Sequence, residues 1–87
     1  MRRIGKIKVS RDAIDKVPEA VRAVMAKVII LRAEYMLCNE TIEYIALCEE
    51  FDEVDIAVFP PDYEVLITTH YNEEYEITGY DVKFERR

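Results

Sequence analysis

Residues 18–48, PEAVRAVMAKVIILRAEYMLCNETIEYIALC, decide what kind of fold the chain can adopt. Pro18 stands where a helix begins, because the first helical position needs no N–H, and Glu19 suits the positive end of the helix dipole. Val21, Val24, Val28, Leu31 and Tyr35 then recur at spacings of three and four. Ala20, Ala23, Met25, Ala26, Ile29, Ile30, Met36 and Leu37 widen the apolar surface beyond one stripe. The pattern predicts a helix from 18 to about 37, buried on more than one side. The same spacing continues through Cys38, Ile42 and Ile45, so one helix over 18–50 followed by a C-terminal hairpin is the alternative. That helix would be about 50 Å long, about twice the diameter of a globule whose radius of gyration should be roughly 12 Å. Asn39-Glu40-Thr41 also interrupts the pattern, and Thr41 to Ile45 is rich in β-branched and aromatic residues. The preferred reading is a helix to about 37 and a strand over 41–48.

Upstream, residues 3–9 read as a strand with Ile7 and Val9 on one face and Lys6, Lys8 and Ser10 on the other. Gly5 marks a weak point or bend, and Ser10 can cap a short turn over Arg11 to Ala13. Downstream, Phe51 pins a charged connection, Ile56 to Phe59 read as extended, and Pro60-Pro61-Asp62 is a firm break. Residues 63–71 alternate, with Tyr63, Val65, Ile67, Thr69 and Tyr71 on the expected core face. Asn72-Glu73-Glu74 reads as a hairpin turn. A last strand over 75–85 slips phase at Gly79, which reads as a bulge. Tyr75 falls on the core phase, whereas Tyr44 and Tyr80 are freer. The expected fold is a single α+β domain over 1–87: one main helix on an antiparallel sheet of about four strands, in β-α-β-β-β order. In element order it resembles the cystatin-like or general α+β-grip arrangement; no motif carries a function across from that family.

Charge is the strongest anomaly. Residues 1–32 hold nine Lys/Arg against Asp12, Asp15 and Glu19, and residues 33–87 hold three bases against fifteen acids. No Lys or Arg lies between Arg32 and Lys83. Such a division sets up a large single-sign field. An N-terminal strand bearing Arg2, Arg3, Lys6 and Lys8 beside an acidic strand would answer part of it, at roughly 0.2–1 kcal/mol per cross-strand pair. Direct nucleic-acid binding is not expected, since the bases are interleaved with acids rather than gathered in a stripe with aromatics.

Catalytic chemistry is sparse. There is one His, His70, and one Ser, Ser10, in a capping position, and neither GxGxxG nor GKS/T occurs. Cys38 and Cys48 lie in apolar surroundings and read as two buried free thiols. Glu49, Glu50, Asp52, Glu53 and Asp55 are dense, yet they lack the glycine and spacing of a calcium loop, so no metal is expected. No cofactor and no enzymatic activity are expected. No signal-peptide core follows the basic start, and no apolar run is long enough to cross a membrane. The cysteine usage suits the cytoplasm, the host's for a phage product.

These features point to a non-enzymatic acidic protein that binds and occludes a basic protein surface, such as another protein's nucleic-acid channel. The residues expected to carry binding are Glu49, Glu50, Asp52, Glu53, Asp55, Glu73, Glu74 and Tyr80. In size, acidity and absence of catalytic residues the chain is similar to small phage-encoded inhibitors, anti-CRISPR proteins among them, and that resemblance implies inhibition by occlusion. Two other readings stand beside it. One is a homo-oligomeric sponge or sensor with a small-molecule pocket between subunits; the other is an enzyme using carboxylates at a subunit interface. A homodimer is expected, because the apolar surface of the predicted helix exceeds what the sheet can cover.

Overall fold

In the computed structural model, which describes residues 2–55 and 59–87, strands outnumber helices. The elements are β1 (Arg2–Ser10), α1 (Arg11–Lys16), α2 (Pro18–Met25), β2 (Ile29–Met36), β3 (Thr41–Leu47), β4 (Glu53–Val54), β5 (Tyr63–Tyr71) and β6 (Ile77–Arg86). β2, β3, β1 and β4 form one antiparallel sheet in that order, and β5 and β6 form a separate antiparallel hairpin. The chain is thus a mixed, strand-rich α+β protein, and β1, β3, β5 and most of β6 lie where the sequence places them. The extended reading of Ile56 to Phe59 falls mainly outside the described residues.

The main helix is shorter than its periodicity implies. It begins at Pro18 and stops at Met25, and neither a helix to 37 nor one to 50 forms. Lys27 N still donates to the Val24 carbonyl at 3.1 Å, and from Val28 the β-branched run Val28-Ile29-Ile30 turns into β2. In a nearly continuous apolar stretch, a three–four spacing can be found by chance, and β propensity with a sheet partner decides instead. β2 pairs with β3 in a hairpin from Ile29↔Leu47 to Met36↔Thr41, with one irregularity at Leu31. The polar break at 39–41 therefore lies at a hairpin turn, not a helix end. Glu40 adopts a left-handed φ of 52° there, and its carbonyl accepts from Arg11 N at 2.9 Å. With two short helices, six strands and two sheets among the described residues, the β-α-β-β-β order and the likeness to a grip arrangement do not hold.

The same correction moves a thiol. Cys48 is buried, but Cys38 sits in the β2–β3 turn and is exposed. Cys38 should therefore react at once with a thiol reagent under native conditions, and Cys48 only after unfolding. Two fast thiols in a stopped-flow trace would show this placement to be wrong.

The remaining local signals behave as the residues dictate. Ser10 Oγ accepts from Ala13 N at 3.1 Å and caps α1. The β5–β6 register shifts between His70 and Tyr71, opposite Gly79 and Ile77, so Thr78 is the extra residue of a bulge. Gly5 stays within β1, and its role is close approach. A Cβ there would lie 2.6 Å from the Tyr63 ring and 2.9 Å from the Phe51 ring.

Cross-strand partners share a face. Gly5, Ile7 and Val9 face inward with Ala46, Tyr44 and Ile42, while Ile4, Lys6 and Lys8 face outward with Leu47, Ile45 and Glu43. Onto the inner face pack Val24 of α2 and Val28 just after it, then Phe51, Tyr63 and Val82. Phe51 is fully buried (0 % exposed). It stacks on Tyr63 with centroids 4.3 Å apart and meets Phe84 edge-on at 5.1 Å. The residues leading into β5 are tied to β1, where Lys6 N donates to the Pro61 carbonyl at 2.9 Å and Lys6 bridges Asp62. Val82, Val65 and Phe84 keep the proximal half of the hairpin on the core, and the distal half runs beyond it. The chain accordingly measures 50 × 29 × 20 Å with a radius of gyration of 14.0 Å, above the roughly 12 Å of a compact domain this long.

Candidate partner-binding hairpin

Asn72 builds the hairpin tip. Its Oδ1 accepts from Glu74 N and Glu76 N, both at 2.9 Å, and its own N–H donates to the Glu76 carbonyl at 2.9 Å. These bonds close a loop in which Tyr75 takes a φ of 62°, a conformation that β-carbon sterics disfavour. Tyr75 is 86 % exposed and Tyr71 59 %. Their expected core positions are corrected: the alternation is real, but no layer of the described residues covers the distal half of the hairpin. Tyr63, at the base, is buried as expected, and Tyr44 packs against the core rather than standing free.

Around Tyr75 stand Glu73, Glu74 and Glu76. None of the three has an ion-pair partner among the described residues. Below them His70 Nε2 lies 2.7 Å from Asp81 Oδ2, and Thr78 Oγ1 donates to the His70 carbonyl at 3.3 Å. The tip is therefore a compact, backbone-held display of carboxylates and tyrosine.

The other half of the predicted site differs. Glu50 pairs with Lys27, Asp52 with Arg86 at 3.1 Å, and Glu53 with Arg3 at 3.7 Å. Lys6 at 3.7 Å and Lys8 at 4.0 Å likewise answer Glu43 on the neighbouring strand. The basic N-terminal strand does lie beside acids, and the Glu49–Asp55 segment is in large part neutralised from within. Asp55 is exposed, and Glu49 lines a groove. Asp52 N donates to the Tyr63 hydroxyl at 2.8 Å, which places this segment at the hairpin's base. Nine residues of strand, about 30 Å, separate it from Glu73 and Glu74. The eight predicted residues thus form two groups, with Tyr80 half-buried between them, opposite Thr69.

A groove of ≈ 680 Å³ opens beside the base, lined by Arg2, Arg3, Lys27, Ile29, Leu47, Cys48, Glu49 and Glu50. Sequence reasoning did not assemble it, because its walls come from three separated stretches, 2–3, 27–29 and 47–50. Arg3 is committed to Glu53 and to the Phe51 carbonyl, at 2.8 Å, and Lys27 to Glu50 and to the Val82 carbonyl, at 2.7 Å. Arg2 has no ion-pair partner among the described residues. No group of three or more His, Cys, Asp or Glu among them is placed to hold a metal ion, and no described helix is long and apolar enough to cross a membrane. Arg11 lies beside Tyr35, Asp15 and Glu40. Hydrogen bonding to Tyr35, then the nearby charges of Tyr35, Asp15 and Glu40, raises its pKa above that of an ordinary arginine. Compared with protein-family models, curated proteins and solved structures, the chain matches none.

Proposed function

We propose that the protein is a non-enzymatic binding protein that presents the β5–β6 tip to a basic surface on a partner protein and blocks what that surface would otherwise bind. One observation carries this reading: the tip acids Glu73, Glu74 and Glu76 have no cation within the described residues, whereas Glu50, Asp52 and Glu53 have theirs. An unanswered acidic patch on a projecting element steers a cationic partner. An exposed Tyr at its centre supplies contact area at low entropic cost. A basic surface that normally takes nucleic acid is the target such a tip would mimic a phosphate backbone to occupy. The test is retention of a partner on the immobilised protein at low salt. That partner should be displaced both by rising salt and by heparin used as a polyanion. Retention that is indifferent to both would refute the reading.

The groove supports a second reading, a sponge or sensor for a small amphipathic anion. Arg2 is available for its negative group, and Ile29 and Leu47 form an apolar wall. Binding of this kind would be saturable, lost in Arg2→Glu and retained in variants of the tip. The hairpin reading expects the reverse.

A further inference from the structure

Strand β2 is one outer edge of the four-stranded sheet, and among the described residues β3 is its only strand partner. Alternate N–H and C=O groups along its eight residues therefore face outward with no strand to meet them. Edge strands ordinarily avoid pairing by being short, or by carrying proline or repeated charge. β2 has no proline. It exposes Ile29 (66 %), Leu31 and Tyr35, and Leu37 just beyond its end is 83 % exposed.

Its only two charges are Arg32 and Glu34, of opposite sign, on the same outer face, on either side of Ala33. Neither has an ion-pair partner among the described residues. Across the sheet Arg32 meets Ile45, and Glu34 meets Glu43, a like charge.

We propose that β2 pairs with β2 of a second copy of this chain, antiparallel, about a two-fold axis at Ala33. In that register Arg32 lies opposite the partner's Glu34, and the two-fold repeats the pair. Leu31 lies opposite the partner's Tyr35, and Ile29 opposite the partner's Leu37. Moving the axis one residue either way sets Arg32 against Arg32 or Glu34 against Glu34. The strand is thus complementary to itself at one centre only, the signature of an isologous interface rather than of an unrelated ligand. Pairing also gives Glu34 the cation that Glu43 denies it, and brings the partner's 37–40 turn beside Ile29 at the mouth of the groove. The surface is separate from the hairpin tip and differs from the helix surplus that first suggested a dimer.

Sedimentation equilibrium of the full chain at high micromolar concentration tests this without reference to any partner. The expected species has twice the 10.2 kDa chain mass. Arg32→Glu or Glu34→Arg alone should weaken dimerisation about tenfold, because each sets two like-charge contacts at the axis. The double exchange R32E/E34R should restore it. Amide exchange on the unaltered chain should show protection of residues 29–36 that rises with concentration, which covers the case of a variant that does not fold. A monomer at every concentration would overturn the proposal. So would single variants that dimerise undiminished, a double exchange as weak as the singles, or β2 amides whose protection ignores concentration.

Discussion

Phe51→Ala should cost about 3–5 kcal/mol, the range for emptying a fully buried phenylalanine site. That is a large share of the 5–15 kcal/mol that small domains possess. The ring is the joint between the two sheets: it stacks on Tyr63 of β5, meets Phe84 of β6 edge-on, and lies over the gap left by Gly5 of β1. Its backbone is held as well, since Arg3 donates to its carbonyl at 2.8 Å and its N–H donates to the Cys48 carbonyl at 3.1 Å. The cavity left by alanine could close only by moving β5 against β1, which are tied through Lys6 to Pro61 and Asp62. At about 4–8 °C per kcal/mol for a domain of this size, the thermal midpoint should fall by at least about 12 °C. Denaturant melts followed by circular dichroism measure it. A loss under about 1 kcal/mol would mean that the hairpin is not anchored through this ring.

Phe51 also marks how far the sequence could be read. An isolated aromatic among Glu49, Glu50, Asp52 and Glu53 has one plausible use, as an anchor, and it is one. The β5 alternation, the Gly79 bulge and the Ser10 cap were legible for the same reason: each is set by residues within a few positions of one another. Residues 26–37 were not, because helix and strand periodicities both fit a run that is apolar at almost every position. Only the presence of β3 as a partner breaks the tie. Misplacing that boundary also misplaced Cys38 and hid the open edge of β2. The candidate site was half legible. A list of acids says nothing about which have cations beside them. The pairings that silence Glu50, Asp52 and Glu53 reach across the fold to Lys27, Arg86 and Arg3. Tyr71 and Tyr75 show the converse: strand alternation identifies a face but not where the layer that covers it stops.

Reversal of Glu73, Glu74 and Glu76 to Lys should weaken partner binding about 100-fold, close to 2.7 kcal/mol, while leaving the fold intact. Stability should move by no more than about 0.5 kcal/mol, because the three side chains make no ion pair among the described residues. The bonds that shape the turn run from Asn72 Oδ1 to the backbone of positions 74 and 76, which the substitutions leave in place. The loss should appear mainly in the association rate and should shrink as salt rises, since steering by exposed charge is screened beyond about 8–10 Å at physiological ionic strength. Reversal of Glu50, Asp52 and Glu53 should behave differently, breaking contacts to Lys27, Arg86 and Arg3 and lowering stability modestly, by up to about 1 kcal/mol per exposed pair, with little effect on binding. Tyr75→Gly separates contact from charge. It relieves a left-handed φ of 62° and so should hold or raise the melting midpoint, yet it removes the exposed ring and should weaken binding at high and low salt alike. A triple reversal at the tip that binds as the unaltered protein does, measured by surface plasmon resonance on folded material, would shift attention from the hairpin to the groove beside Arg2.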